Sequence, residues 1–134
     1  MRAGTPAVRY AVGTSVPPDA LAALLDQTDW AHGRSQVQLA AMLRRSIASV
    51  SAHQGNRLVG FARAHGDGVF IATIDDVVVD GRWRGRGIGR GLVARLMEEL
   101  DGIASVHLCC RPALGPFYAE LGFEASLMML MKRG

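Results

Sequence analysis

Residues 75–92, DDVVVDGRWRGRGIGRGL, constrain the chain more than any other stretch. A β-branched run passes into a glycine- and arginine-rich loop, and an amphipathic helix follows at once. Glycines let the backbone take turns closed to other residues and come close to a ligand. The first amides of a helix have no internal partners, and its dipole places partial positive charge there. A loop of this kind is a site for an anion, above all a phosphate. Arg84, Arg86 and Arg90 add full charges nearby. Two familiar phosphate loops do not fit. A Walker loop ends in Lys followed by Ser or Thr, and neither stands here. The dinucleotide fingerprint is G-x-G-x-x-G, whereas these glycines run G-x-G-x-G-x-G from Gly85 to Gly91, past the midpoint of the chain.

The rest of the composition narrows the ligand. The length of 134 residues fits one domain, and 49% apolar residues suffice for a core. No apolar run reaches the roughly 20 residues of a membrane span, and the first residues carry no signal-peptide pattern. A soluble cytoplasmic protein without membrane contact is expected. The net charge of +3 is too small for a dedicated nucleic-acid protein. Arg82, Arg84, Arg86 and Arg90 are concentrated in one loop, while Lys132 is the only lysine, which points to forked binding of a small phosphorylated ligand. Cys109 and Cys110 are adjacent and read as small apolar residues of a buried strand. The four histidines lack ligand spacing, so no metal is expected.

Periodicity supplies the frame. Residues 7–12 read as a strand, a helix starts at Pro17-Pro18-Asp19 and runs to about Asp26, and Thr28 to Ser35 is a loop. Ser35 caps a second helix with Val37, Leu39, Met42 and Leu43 on its apolar side. Ile47 to Ala52 and Arg57 to His65 form a hairpin around Gly55-Asn56, and Gly66-Asp67-Gly68 turns into a strand over Val69 to Asp80. Gly87 to Leu100 is a helix with Ile88, Leu92, Leu96 and Leu100 in line. Ile103 to Cys110 is a strand, Pro116 to Leu121 a short helix, and Phe123 to Met131 is expected to close the sheet. The order implies an α/β (α+β) fold with one mixed sheet and at least one parallel crossover.

Within the loop, Arg84, Gly87 and Gly89 match R-x-x-G-x-G, and downstream Pro116 to Glu124 reads PFYAELGFE. Together with LVGFARA at Leu58 to Ala64, these segments resemble the GNAT superfamily of N-acetyltransferases, in the family's order and over roughly residues 57–124. The run from LVGFARA through ATIDDVVVD is similar to the plastid and cyanobacterial branch, which includes serotonin N-acetyltransferase-like enzymes. The resemblance implies a single central sheet with helices on both faces and a splayed pair of parallel strands. It also implies acetyl-CoA as co-substrate, with the acetyl group passing to an amine that attacks the thioester directly. Val77, Val78 and Val79 would hydrogen-bond the pantetheine arm through their backbone. Arg84, Gly85, Arg86, Gly87, Ile88, Gly89 and Arg90 would hold the diphosphate. Tyr118 matches the tyrosine that serves the departing thiolate; full transfer from a phenol is uphill by about 1.5 units, roughly 2 kcal/mol, so a hydrogen bond is at least as plausible.

The acceptor side is less determined. Asp75 and Asp76 are the acids on the donor strand, and only one can face the cleft in a regular strand. Asp76 is preferred as substrate anchor or as base through water. Arg111 occupies a position where relatives often carry Asn or Asp, and could grip a phosphate or an acidic substrate. Trp30, His32 and Arg34 lie in the loop that borders the acceptor site in the family, with Trp30 and Arg34 as substrate contacts. Small amines and peptide amines both remain open as acceptors, a homodimer is possible, and a catalytically silent CoA-binding module is the rival reading.

Overall fold

The structure, a computed structural model, describes residues 7–13 and 15–133. Its centre is a five-stranded sheet in the order β1 to β5: β1 (Arg9–Val12), β2 (Ala48–Gln54), β3 (Arg57–Gly66), β4 (Ile71–Val79) and β5 (Ser105–Leu108). The first four strands are antiparallel neighbours, and β5 joins β4 in parallel. Gly55, at φ 59, makes the tight β2–β3 turn where a side chain would be strained. In the β3–β4 turn the Asp67 carboxylate accepts the amides of Val69, Phe70 and Ile71 at 2.8, 2.8 and 3.0 Å. These backbone bonds lower the Asp67 pKa. They also explain why the strand expected from Val69 begins at Ile71: the first amides belong to the turn, and Val69 and Phe70 are exposed.

Helices cover both faces. On one lie α1 (Pro18–Leu25) and α2 (Gln36–Arg45), whose Leu21, Leu25, Leu39 and Leu43 close over Phe61 and Val78. Ser35 caps α2 as expected: it accepts from the Gln38 amide at 3.1 Å while the Gln38 side chain accepts from the Ser35 amide at 2.9 Å. Val37 faces out, because the buried stripe is set by Leu39 and Leu43. On the other face α3 (Ile88–Glu99) and α4 (Gly115–Glu120) bury Leu92, Val93, Leu96 and Tyr118 against Val50, Val59, Ala62 and Ile74. Each fully buried Leu, Val or Phe contributes about 1.5–3 kcal/mol relative to exposure. Gly60 lets α3 approach: a Cβ there would stand 3.0 Å from Leu92 Cδ1 and 3.1 Å from Ile88 Cγ2.

Two irregularities of β4 shape everything near the loop. First, β4 pairs with β5 only from Ile71↔Ser105 to Ile74↔Leu108, then runs on to Val79 with a partner on the β3 side alone, so the parallel strands part. Second, β4 carries one extra residue: Arg63 pairs with Asp75 and Phe61 with Val78, leaving Asp76 and Val77 opposite Ala62. Residues four apart on a regular strand share a face. Here Ile74 packs in the α3 layer and Val78 in the α1–α2 layer, while Val77 and Val79 turn to α3.

The C-terminal expectation is corrected. Residues 123–133 form no strand, and Leu127, Met128, Met129, Leu130 and Met131 are exposed. Phe123 packs against the α3 layer and donates its amide to the Tyr118 carbonyl at 3.1 Å, but the apolar run beyond it finds no ladder partner. Apolar composition alone does not make a strand. Likewise the strand expected over Ile103 to Cys110 is confined to Ser105–Leu108, with His107 exposed and hydrogen-bonded to Ser105 at 2.6 Å.

Candidate active site

After Val79 the chain makes a 3-10 turn, Gly81–Trp83, capped by Asp80, which accepts the Arg82 amide at 2.9 Å. Gln27 braces it, donating to Asp80 at 3.3 Å and accepting from the Gly81 amide at 3.0 Å. Gly85 and Gly87 sit at φ 77 and 80, and a Cβ at either would meet nothing within 4 Å. α3 starts at Ile88 with no side-chain cap and no acidic residue in its first turn. Its leading amides and dipole therefore open onto an exposed loop containing Arg84 and Arg86, with Arg90 in the first turn of the helix itself. The guanidinium of Arg86 stacks 4.6 Å over Trp83, Arg84 donates to the Val79 carbonyl at 3.5 Å, and Arg90 pairs with Glu120 of α4.

Three of the expected parts come together here. A Cβ at Gly89 would lie 3.8 Å from both Phe117 of α4 and Val79 of β4. The loop, the end of β4 over Val77 to Val79 that lies beyond its pairing with β5, and α4 thus meet at the first turn of α3. Tyr118 is buried, in the same cluster as Ile88, Val77, Val79 and Cys110, with Phe117 edge-on at 4.9 Å and Phe123 at 6.0 Å. Burial, then the neighbouring Cys110 thiol, push the Tyr118 phenol above its usual pKa, so it is a donor at neutral pH. The same shift makes outright proton transfer to a thiolate harder and favours a hydrogen bond.

Asp75 and Asp76 lie on the side of the α1–α2 loop. The side chain of Asp76 has no exposed surface, and its Oδ2 accepts from Arg34 at 2.8 Å and Arg63 at 2.7 Å. Burial alone would raise this carboxyl, but hydrogen bonds and charge from Arg34 and Arg63 outweigh it and hold it below the usual carboxylate range. Asp76 also has φ 53, the only positive φ outside glycine among the described residues. Asp75 is half-exposed; its Oδ1 accepts the Asp76 amide at 2.9 Å, and its Oδ2 lies 3.5 Å from His65 Nε2 and 3.8 Å from Arg63. The loop between α1 and α2 places Arg34 on Asp76, leaves Trp30 53% exposed, and pairs Asp29 with Arg111 beyond β5. Arg111 thus bridges to that loop.

Sequence reasoning passed over Arg63, His65 and Asp29. Arg63 had a readable signal, since an arginine inside LVGFARA must find a partner once the strand is buried. Asp29 carries none, because its partner Arg111 comes from a distant part of the chain, and His65 meets Asp75 only once β3 and β4 pair in register.

Residues 45–125 match the family model described as Acetyltransferase (GNAT) domain. The chain is 36% identical over 129 residues to histone acetyltransferase TAP1 of Glycine max, covering 87% of this chain and 55% of that one. It is 45% identical over 69 residues to the chloroplastic serotonin N-acetyltransferase 2 of Oryza sativa subsp. japonica, covering 50% of this chain and 34% of that one. The chain spans about half the length of the curated relatives it matches, 55%, 46% and 49% for three of them. A solved structure from Deinococcus radiodurans R1, provisionally named an acetyltransferase, superposes with a TM-score of 0.85 at 27% identity over 99% of this chain and 94% of that one.

Proposed function

The chain belongs to the GNAT family of acetyltransferases, and from that premise we propose that it moves the acetyl group of acetyl-CoA to a primary amine by direct attack. The observation that carries the reading is the uncapped start of α3, which opens beside the end of β4 that has parted from β5, with Tyr118 packed behind both. Donor binding is assigned to three groups. The amides of Ile88, Gly89 and Arg90, with Arg84 and Arg86 around them, hold the diphosphate. Gly85 and Gly87 leave the loop free of side chains that would block it. The backbone of Val77 to Val79, released from pairing with β5, bonds the pantetheine arm as an added strand does.

The thioester supplies an activated acyl carbon, and the protein supplies position and charge. Backbone donors of Val77 to Val79 on the side away from β3 are assigned to the developing oxyanion. The Tyr118 hydroxyl hydrogen-bonds the departing sulfur, a role its raised pKa favours over giving up the proton. The amine attacks from the side of the α1–α2 loop, where Trp30, Arg34, His65 and Asp75 lie. The half-exposed Trp30 supports an aryl-ethylamine as the first acceptor to try, as does the name of the rice relative. The name of the soybean relative supports a lysine peptide as the second.

Calorimetry with CoA tests the donor side. Binding is expected, and Gly87→Ala should weaken it at least about tenfold, since a side chain at φ 80 is strained and shifts the first amides. Silence at millimolar CoA removes the reading. Release of free thiol from acetyl-CoA in the presence of aryl-ethylamines, polyamines, amino acids or lysine peptides then identifies the acceptor.

A further inference from the structure

Asp76, Arg34 and Arg63 form a buried array assembled from three separate elements: β4, the α1–α2 loop and β3. A carboxylate taken fully out of water persists as an ion only when it is paired. Asp76 meets this condition unevenly. Both guanidiniums converge on Oδ2, at 2.8 and 2.7 Å, while Oδ1 is buried with no partner among the described residues. The side chains of Arg34 and Arg63 are only 29% and 14% exposed, so neither is free to swing into solvent. At the same residue the backbone takes its left-handed turn and β4 changes face.

That arrangement suits a mechanical task and not a proton transfer. One oxygen is committed to two cations and the other is sealed from water, so an attacking amine has no route to either.

Resting on the acetyl-transfer reading above, we propose that Asp76 is a positioning residue: by drawing Arg34 and Arg63 onto one oxygen, it holds the β4 bulge in its left-handed turn and fastens the α1–α2 loop to it. The acceptor's seat and the backbone facing the thioester are then set as one unit.

Asp76→Asn keeps the size and tolerates left-handed backbone, but removes the charge. It should lower kcat about ten- to hundredfold and raise the acceptor KM, since small misplacements cost that much. The KM for acetyl-CoA should rise less than that of the acceptor, because the groups assigned to the diphosphate at the start of α3 are untouched. The acid limb of the kcat/KM profile should remain at the same pH; its disappearance would make Asp76 the base and overturn the proposal. Arg34→Gln should reproduce the kinetic losses, and the double variant should be no worse than the poorer single. Additive losses would mean the two residues act independently, which also overturns it. Amide hydrogen exchange over residues 26–35 and 75–79 should quicken in both single variants, and unchanged exchange would sink the tie. That readout needs no turnover, so a protein that neither binds CoA nor releases thiol would defeat the acetyl-transfer reading and leave the tie decidable. Should Asp76→Asn fail to fold, Arg34→Gln carries the same measurements from the more exposed partner.

Discussion

Asp76 makes folding stability depend on acid in a direction its partners dictate. The folded-state carboxyl lies below its ordinary value because two guanidiniums favour the anion over the opposing effect of burial. A group depressed on folding adds stability that is fully present above the unfolded pKa, about 3.9 for aspartate, and is lost as pH falls through the folded value. Asp76→Asn should therefore lower the urea midpoint at pH 7, and the gap from the unaltered protein should narrow below about pH 4. A gap that stays constant from pH 7 to pH 3 would show that the charge contributes nothing. Tyr118 is the second residue with a definite expectation. Tyr118→Phe keeps the ring, with its edge-on contacts to Phe117 and Phe123, and removes only the hydroxyl. Turnover should fall by about 100-fold or more, with CoA affinity in calorimetry changed less than about threefold. Turnover within twofold of the unaltered protein would take the phenol out of the mechanism.

Among the elements, β3 and α3 set how close the loop can come to the sheet. Gly60 sits where a methyl group would press on Leu92 and Ile88, and both side chains are locked in the core. Gly60→Ala should cost about 1–3 kcal/mol by overpacking, less the few tenths to one that alanine regains from the unfolded chain. Urea denaturation should show the loss, and adding Leu92→Val should recover part of it by removing the methyl that is touched. A variant as stable as the unaltered protein would mean that α3 can ride outward. The elements themselves were largely legible. Period-four apolar residues located α3, Ser35 marked the start of α2, and the change from β-branched residues to glycine marked the end of β4. What was hidden was the bulge. IATIDDVVV reads as an unbroken strand, and no residue in it announces an aspartate in left-handed backbone; the cause lies in Arg63 and Arg34, 13 and 42 positions away.

Across the molecule, the crossover and the glycine-rich turn into α3 were readable because both depend on neighbours in the chain. The contacts of the α1–α2 loop were not, because they depend on what folding brings together. Asp29 and Arg111 stand 82 positions apart, and their pair appears only when the α1–α2 loop and the end of β5 share one rim. The pair Asp75 and Asp76 illustrates the point. The period-two rule let only one of them face the cleft, but that rule assumes a regular strand, and the extra residue in β4 suspends it. For the run at Leu127 to Met131 the error went the other way, since apolar residues promised a strand and no neighbour was there to make one.

The parting of β4 from β5 has an energetic side as well. Four ladder positions hold β5 to the rest of the sheet, on one flank only, while α3 and α4 carry the remaining attachment. A wedge-shaped opening beside an edge strand sacrifices local cohesion along its walls, so this seam is held by less ladder than the β2–β3–β4 centre of the sheet. Filling that seam would act as a splint.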